Sequence, residues 1–162
     1  MAKKSAGILL YRFNRGIFEV LIVHPGGPYW AKKDEGAWSI PKGEFEDDED
    51  PLEAAIREFN EELGLEIKGD FIPLTPVKQR SGKTVYAYAI EKDFDPSGFT
   101  SNTFSLEWPP NSGKMKEFPE IDKAGWYDFE TGKRKLNEAQ ATIIEELRRK
   151  LNLNEDQLKG TS

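Results

Sequence analysis

The sequence contains no cysteine, a single histidine and no long apolar run. Without cysteine the chain can form neither a disulfide scaffold nor a thiolate zinc site, and it has no cysteine nucleophile. No apolar segment approaches the roughly 20 residues that a membrane-spanning helix needs. The basic start, Met1 to Ser5, leads into a short alternating segment and not into the apolar region of a signal peptide. We therefore expect a cytoplasmic protein without a membrane partner.

The length of 162 residues suits one domain with a single modest core, and two full domains would be crowded. No repeat or linker-like segment divides the chain. We therefore predict one domain across residues 1–162, with its core over about 5–150. A polar, frayed tail is expected over residues 152–162.

Acidic residues are concentrated in one segment. The formal net charge is −6, but residues 44–62 hold ten acidic residues and one basic residue, a net −9. The rest of the chain therefore carries +3. The overall balance disfavours long nucleic acid as a partner, because tight binding to a phosphate backbone needs an extended basic surface.

Apolar periodicity predicts a mixture of strands and helices. Stretches rich in Ile, Leu, Val and aromatic residues indicate strands at 5–13, 17–23, 71–77, 84–90 and 125–129, with a short extended piece at 37–41. Amphipathic helices are predicted at 51–63 and 137–151. Residues 93–116 are rich in Pro, Gly, Ser and Asn and lack periodicity, which indicates a long loop of the kind that is usually functional or disordered.

The first predicted helix has signals at both ends. Asp50 is expected to cap its N-terminus, with Pro51 at the first helical position and Glu53 completing a capping box. Gly64 is expected to end it.

Three carboxylates, Glu58, Glu61 and Glu62, project from this helix within an arc of roughly 100°, beside its apolar face. Like charges at this spacing destabilise a helix, and the negative end of the helix dipole adds to the cost. Arg57 alone cannot neutralise three carboxylates. Oxygen ligands without His or Cys favour a hard divalent cation, Mg2+ or Mn2+, over zinc.

The spacing around these residues resembles the Nudix box, G-x5-E-x7-R-E-U-x-E-E-x-G-U, in which U is apolar. All seven fixed positions match, and the first U position is Phe59, which is bulkier than the usual aliphatic residue. The matching residues are Gly43, Glu49, Arg57, Glu58, Glu61, Glu62 and Gly64.

The resemblance implies an α/β fold, the Nudix α/β/α sandwich, with a mixed β-sheet between helices. It also implies hydrolysis of a diphosphate linkage by a metal-activated water that attacks phosphorus. By position, Glu58, Glu61 and Glu62 resemble the metal ligands, and the Gly43 carbonyl resembles an additional one. Glu49 and Arg57 resemble orienting partners, and a salt bridge between them would fix the loop that enters the helix.

A catalytic base outside the box is common in this family. Pro119-Glu120, six residues before Trp126, resembles an element of Nudix enzymes that act on dinucleoside polyphosphates and on RNA 5′ ends. In those enzymes the corresponding Glu is a metal ligand or a base. The resemblance therefore favours Glu120 for that role, with Glu117 and Glu107 as alternatives.

Several other residues are candidates for substrate contact. The stretch from Trp38 to Glu44 resembles the segment before the box in diadenosine tetraphosphate hydrolases and diphosphoinositol polyphosphate phosphatases, and Lys42 within it could contact a phosphate. Aromatic rings could stack on a base. His24 is expected to be structural or solvent-exposed. The candidate base-stacking residues are Tyr29, Trp30 and Trp108, and the candidate phosphate contacts from loops are Lys32, Lys33, Arg80, Lys83, Lys114 and Lys116.

The leading hypothesis is a Mg2+-dependent Nudix pyrophosphohydrolase that cleaves small-molecule nucleoside polyphosphates, with dinucleoside polyphosphates such as diadenosine tetraphosphate first. Alternatives within the class are RNA 5′-end pyrophosphohydrolase, nucleoside triphosphate hydrolase and diphosphoinositol polyphosphate hydrolase. A catalytically inactive nucleotide-sensing Nudix module is a different class, but such a module would be free to lose box glutamates and here all are present. An acidic protein-interaction domain would leave the spacing of Gly43, Arg57 and Gly64 unexplained.

Overall fold

The computed structural model describes residues 3–99 and 101–159. Its strands are β1 Lys4–Asn14, β2 Ile17–Pro25, β3 Lys42–Glu44, β4 Ile72–Pro73, β5 Val77–Lys78, β6 Thr84–Glu91, β7 Thr103–Glu107, β8 Met115–Pro119 and β9 Ile121–Asp128. Its helices are α1 Pro51–Leu63, α2 Phe129–Lys135, α3 Glu138–Leu151 and α4 Glu155–Leu158.

The main sheet is mixed, with the strand order β4-β6-β1-β2-β9. β1 runs parallel to β6 and antiparallel to β2, and β3 joins the early part of β1 through the pair Ala6 and Gly43. β1 is therefore the central strand, and it supports the segment that leads into α1. This explains why its apolar residues are buried on both faces.

Helices cover both faces of this sheet. One core cluster joins alternate residues of β1 and β2 to Phe59 and Leu63 of α1, and the other joins the opposite residues to Ile144 and Leu147 of α3. Because successive side chains of a strand point to opposite faces of the sheet, each strand contributes residues to both cores. The predicted α/β fold, a sandwich with a mixed sheet between helices, is confirmed.

The ends of α1 follow the sequence signals. The Asp50 carboxylate accepts a hydrogen bond from the Glu53 N–H at 3.0 Å, and Gly64 adopts a left-handed conformation with φ 76°. The Gly64 N–H donates to the Asn60 carbonyl at 2.8 Å. Only half of the predicted capping box forms, because the described residues include no bond from the Asp50 N–H to the Glu53 side chain.

Two predictions of secondary structure were wrong, and one helix was missed. The supposed loop at 93–116 contains β7 and the start of β8, a separate antiparallel ribbon in which Phe104 lies opposite Phe118. The predicted strand 71–77 is broken into β4 and β5, because Pro73 and Pro76 have no N–H to donate to a continuous ladder. Helix α2 was missed, since its short, charged sequence has no apolar period.

The C-terminal segment is not the frayed polar tail that we expected. Asn154 and Gln157 form a capping box around α4, and Leu158 is 3% exposed within the α3-side core. Leu153 packs against the same core. Leu153 and Leu158 are apolar residues in a segment of polar composition, and only the tertiary packing shows that they contact the core. Residues 160–162 of the predicted tail lie outside the described residues.

Within the described ranges, no helix combines the length and apolar character that crossing a bilayer requires.

Replacing Leu158 with Ala should destabilise the protein, because it removes a buried side chain from the α3-side core. We expect a loss of about 2–3 kcal/mol, or a fall in Tm of about 5–10 °C. Thermal unfolding measures this effect, and Lys159→Ala is the matched exposed control. Equal Tm values for the two variants would contradict the anchoring role of α4.

Candidate functional site

A network around Arg57 shapes the loop before α1. The Glu49 carboxylate accepts a hydrogen bond from the Glu46 N–H at 3.1 Å and another from the Arg57 guanidinium. The hydrogen bond from the Glu46 N–H, and to a smaller extent the one from Arg57, hold the pKa of Glu49 below its usual value. The ion pair expected between Glu49 and Arg57 is therefore present. The same guanidinium lies 3.1 Å from Glu58 and 3.7 Å from Glu61.

Gly43 allows the Glu58 carboxylate to lie directly against the backbone of β3. A Cβ atom at residue 43 would lie 2.0 Å from Glu58 Oε2, a distance that no side chain can occupy. Burial raises the pKa of Glu58, and the charges of Glu61 and Glu120 raise it further against the opposing effect of Arg57. The first and fourth fixed positions of the box are therefore in close contact.

Glu62 is the buried carboxylate of the site. The residue is 8% exposed, and its Oε2 atom has no hydrogen-bond partner. Burial raises the pKa of Glu62 to about 8, and the charges of Glu58 and Glu120 add to the effect. The charge of Lys42 and a hydrogen bond from its backbone oppose the rise but do not cancel it. A buried carboxylate with a free oxygen is costly unless a cation neutralises it.

Glu62 and Glu120 line one cavity of about 220 Å³. Glu120 lies between β8 and β9, where its N–H donates to the Asn102 carbonyl at 2.8 Å and its carbonyl accepts from the Gly26 N–H at 2.9 Å. These backbone bonds hold Glu120 beside Glu62, although 58 positions separate the two residues in the sequence.

The two alternatives to Glu120 lie elsewhere. Glu107 is in β7 and accepts a hydrogen bond from the Asn111 N–H at 2.9 Å. Glu117 is exposed in β8, opposite Ser105. Neither lines the cavity that contains Glu62. Glu61 does not line it either, because its exposed side chain extends toward Arg57.

The side chains are not arranged as a closed metal cage. Among residues 3–99 and 101–159, no group of three or more His, Cys, Asp or Glu side chains lies close enough together to hold a metal ion. The carboxylates of Glu58 and Glu61 lie instead beside the Arg57 guanidinium. The unpartnered oxygen of Glu62 and the all-oxygen donor set nevertheless fit a hard divalent cation.

Lys42, the candidate phosphate contact before the box, lines the cavity that also contains Glu62 and Glu120. A Cβ atom at Gly7 would be 2.8 Å from Lys42 Cβ, and Gly7 shares its face of β1 with Leu9, which belongs to the α3-side core. The Lys42 side chain therefore starts on the α3 side of the sheet, while its backbone bonds Glu62. Burial, and next the charge of Lys83, lower the pKa of Lys42.

The candidate aromatic residues lie in the loop after β2 and next to the β7–β8 ribbon. The rings of Tyr29 and Trp108 form an edge contact with 5.4 Å between centroids, and Tyr29 is 58% exposed. Lys33 Nζ lies 5.1 Å from the centre of the exposed Trp30 ring. Lys32 is exposed in the same loop. The fold thus brings three aromatic residues and two lysines to one surface.

His24 anchors this loop, so that of the two expectations for it, structural or solvent-exposed, the structure shows the first. The ring is 1% exposed, with Nδ1 2.7 Å from the Asp122 carboxylate and Nε2 2.6 Å from the Lys33 carbonyl. Both partners accept hydrogen bonds, so the ring links the loop to β9 just after Glu120. No local sequence signal predicts the pairing with Asp122, since 98 positions separate the two residues.

Replacing His24 with Leu should loosen the loop. The change leaves the Lys33 carbonyl and one Asp122 oxygen without these partners, which should cost about 1–3 kcal/mol. We expect a lower Tm and faster tryptic cleavage after Lys32 and Lys33 in a native digest. Lys68→Ala is the surface control, and an unchanged cleavage rate in His24→Leu would contradict the anchoring role.

Comparison with known proteins places these features in a family. The model of the NUDIX domain matches residues 1–147 of the chain. An RNA pyrophosphohydrolase of Xylella fastidiosa (strain M12) is 43% identical over 56 residues, which cover 34% of this chain and 28% of that protein. The m7GpppN-mRNA hydrolase of Saccharomyces cerevisiae is 27% identical over 161 aligned positions, which cover 91% of this chain and 14% of the relative.

The chain thus aligns with less than a third of the length of either curated relative. Among solved structures, a Caenorhabditis elegans Ap4A hydrolase in a binary complex superposes with a TM-score of 0.63 and 20% identity. That match covers 93% of this chain and 98% of the other, and at this identity it supports the fold alone. Because the family model spans most of the chain, including the complete box, the protein belongs to the Nudix hydrolase family.

Proposed function

We propose that this protein is a Mg2+-dependent hydrolase of a phosphoanhydride bond in nucleoside polyphosphates. The observation that carries the proposal is the buried, unpartnered oxygen of Glu62, a residue that lines one cavity together with Glu120. A purely structural role does not account for a buried carboxylate next to two others. Family membership and the names of the curated relatives support the same reaction class.

The residues present fit the divalent ion that this family uses. The proposed ligands are the carboxylates of Glu58, Glu61, Glu62 and Glu120 with the Gly43 carbonyl. When bound, Mg2+ or Mn2+ would neutralise phosphate charge and lower the pKa of a coordinated water.

The protein's own residues supply orientation and proton transfer. Arg57 holds Glu58 and Glu61 through ion pairs, and Glu49 holds Arg57 in turn. Arg57 and Glu49 are therefore positioning groups. Glu120 is our candidate general base, because it lies in the cavity with Glu62 and makes no side-chain hydrogen bond within the described part of the chain. A base acts only if it can reach the water that attacks phosphorus.

Two substrate types are consistent with this site. Dinucleoside polyphosphates are supported by the exposed edge contact of Tyr29 with Trp108, which offers a surface for base stacking, together with Trp30 and Lys33 nearby. RNA 5′ ends are supported by the partial relatives named RNA pyrophosphohydrolase and m7GpppN-mRNA hydrolase. Both substrates contain a phosphoanhydride attached to a nucleoside. A cytoplasmic location is part of the proposal.

Replacing Glu62 with Gln should abolish turnover without unfolding the protein. The amide keeps the volume of the side chain but cannot neutralise a cation, so we expect kcat to fall by about 10³-fold or more. The Tm should not fall, because the amide keeps the volume of the side chain and replaces a group whose charged form is unfavourable in this buried position. The effect is measured as formation of mononucleotides from diadenosine tetraphosphate and as release of phosphate or pyrophosphate from ATP and a triphosphorylated RNA, with Mg2+ or with EDTA.

Glu53→Gln is the matched control, since Glu53 is exposed on the same helix. Activity of Glu62→Gln close to that of the wild type would refute the proposed site. Wild-type protein that binds nucleotides but hydrolyses none of these substrates would instead support the inactive sensing module.

Replacing Glu120 with Gln should lower kcat by about 10²- to 10⁴-fold with a smaller change in KM, as expected for loss of a general base. Glu117→Gln and Glu107→Gln should keep wild-type rates, because neither residue lines the cavity. Steady-state kinetics on the same substrates distinguishes the three glutamates. A loss confined to Glu117→Gln would overturn the assignment of Glu120.

A further inference from the structure

A second and larger cavity lies on the other face of the sheet. Its volume is about 680 Å³, against about 220 Å³ for the cavity that contains Glu62 and Glu120. Ligand pockets for molecules the size of a nucleotide usually measure roughly 300–1,000 Å³. The smaller cavity is therefore suited to the phosphoanhydride alone, and the larger one has room for a further part of the substrate. We call the larger cavity the α3 groove, and its walls come from residues 78–80 and from the start of α3.

The ionisable residues that line the α3 groove are two cations, Lys78 and Arg80, and one carboxylate, Glu138. Both cations are exposed, and neither has an ion-pair partner within 4.0 Å among the residues that the structure describes. Most cations near the acidic segment are engaged, as in the pairs of Lys4 with Asp47 and of Arg57 with Glu49. The α3 groove thus keeps two cations available for an anionic ligand.

One buried side chain connects the two cavities. Gln140 accepts a hydrogen bond from the Ile40 N–H at 2.9 Å and donates to Ser39 Oγ at 3.1 Å, and these two residues line the Glu62 cavity. The same amide donates to Gln79 Oε1 at 2.8 Å, and Gln79 lines the α3 groove. The two cavities therefore share a wall that is fixed by hydrogen bonds.

Further basic residues lie in the region of the Glu62 cavity and the α3 groove. The turn that carries Arg80 closes with a hydrogen bond from the Gln79 N–H to the Lys83 carbonyl at 2.8 Å. Lys83 Nζ reaches to 3.9 Å from Glu44, which ends β3, and Lys42 begins the same strand. Lys42 itself lines the Glu62 cavity, and Lys83 belongs to the turn that carries Arg80.

We propose that the α3 groove binds the phosphodiester backbone that follows the cleaved anhydride, so that the substrate is the 5′ end of an RNA. This inference rests on the proposed hydrolase function and selects between its two substrates. In a dinucleoside polyphosphate all the phosphates lie between the two nucleosides, so its far end would bring no anion to Lys78 and Arg80. In an RNA 5′ end, each nucleotide after the first brings one phosphate. The short groove is compatible with the net charge of −6, because it needs to neutralise only the first phosphates.

The test measures binding and not turnover. The RNA probe and AMP contain no phosphoanhydride, and all titrations contain EDTA so that diadenosine tetraphosphate is not hydrolysed. The probes are a 5′-monophosphorylated hexaribonucleotide with a 3′ fluorophore and, as competitors, unlabelled hexaribonucleotide, AMP and diadenosine tetraphosphate. We expect the wild-type protein to bind the hexaribonucleotide at least about tenfold more tightly than AMP. In the double variant Lys78→Ala/Arg80→Ala, its affinity should fall about tenfold and the salt dependence should weaken by about 1–2 units of the log–log slope.

Controls separate a specific groove from general charge effects. Lys68→Ala/Lys92→Ala removes two exposed lysines far from the groove and should leave the affinity for the hexaribonucleotide within about twofold of wild type. The charge-retaining variant Lys78→Arg/Arg80→Lys should restore most of the affinity. Binding of AMP should be the same in all variants.

Three results would overturn the inference. These are equal affinity of the wild type for hexaribonucleotide and AMP, equal losses in the two double alanine variants, and a loss of affinity for diadenosine tetraphosphate as large as the loss for RNA. The last result would assign the α3 groove to the dinucleotide substrate. Product formation by the wild type from diadenosine tetraphosphate, ATP and triphosphorylated RNA, measured separately, shows whether the hydrolase function itself holds, so the two proposals can fail independently.

Discussion

The burial of Glu62 among other carboxylates is the constraint on which the rest of the site depends. Its pKa is raised to about 8, mainly because the side chain is removed from water and next because Glu58 and Glu120 are close. Such a group costs stability in the absence of a cation. Glu62 lies at the C-terminal end of α1, where the helix dipole also disfavours negative charge and adds to this cost. A stability cost of this kind, concentrated in one place, is typical of a functional site.

The surrounding residues hold this unfavourable arrangement in place. Gly43 removes the side chain that would displace Glu58, and Arg57 restrains Glu58 and Glu61 from outside while Glu49 restrains Arg57. The central strand β1 supports β3 on one side and β6 on the other, and this fixes Gly43 relative to α1. The box is therefore a set of contacts between a strand and a helix, and each of its fixed residues has an identifiable partner or backbone role.

The uneven distribution of charge along the chain corresponds to the two faces of the sheet. The net −9 of residues 44–62 lies around α1, whereas Lys78 and Arg80 lie on the opposite face of the sheet. Lys42 links the two regions, because its backbone bonds Glu62 and its side chain starts on the α3 side. A phosphate-bearing substrate would thus meet bound cations on one face and basic side chains on the other.

The sequence by itself determined the parts that depend on short spacings. The limits of α1, with its Asp50 cap and Gly64 stop, follow from residues within one turn, and strands β1, β2 and β6 follow from their apolar runs. The contact of Glu49 with Arg57 was expected from the resemblance to the Nudix box. Only the tertiary structure decided which distant residues meet. It brought Glu120 to Glu62, paired His24 with Asp122, joined Gln140 to Gln79 and buried Leu158. It also formed β7 and β8 in a segment without periodicity, because their partners are each other and not the main sheet. A local pattern encodes helix faces and caps, but contacts between distant segments depend on how the sheet and its covering helices place them.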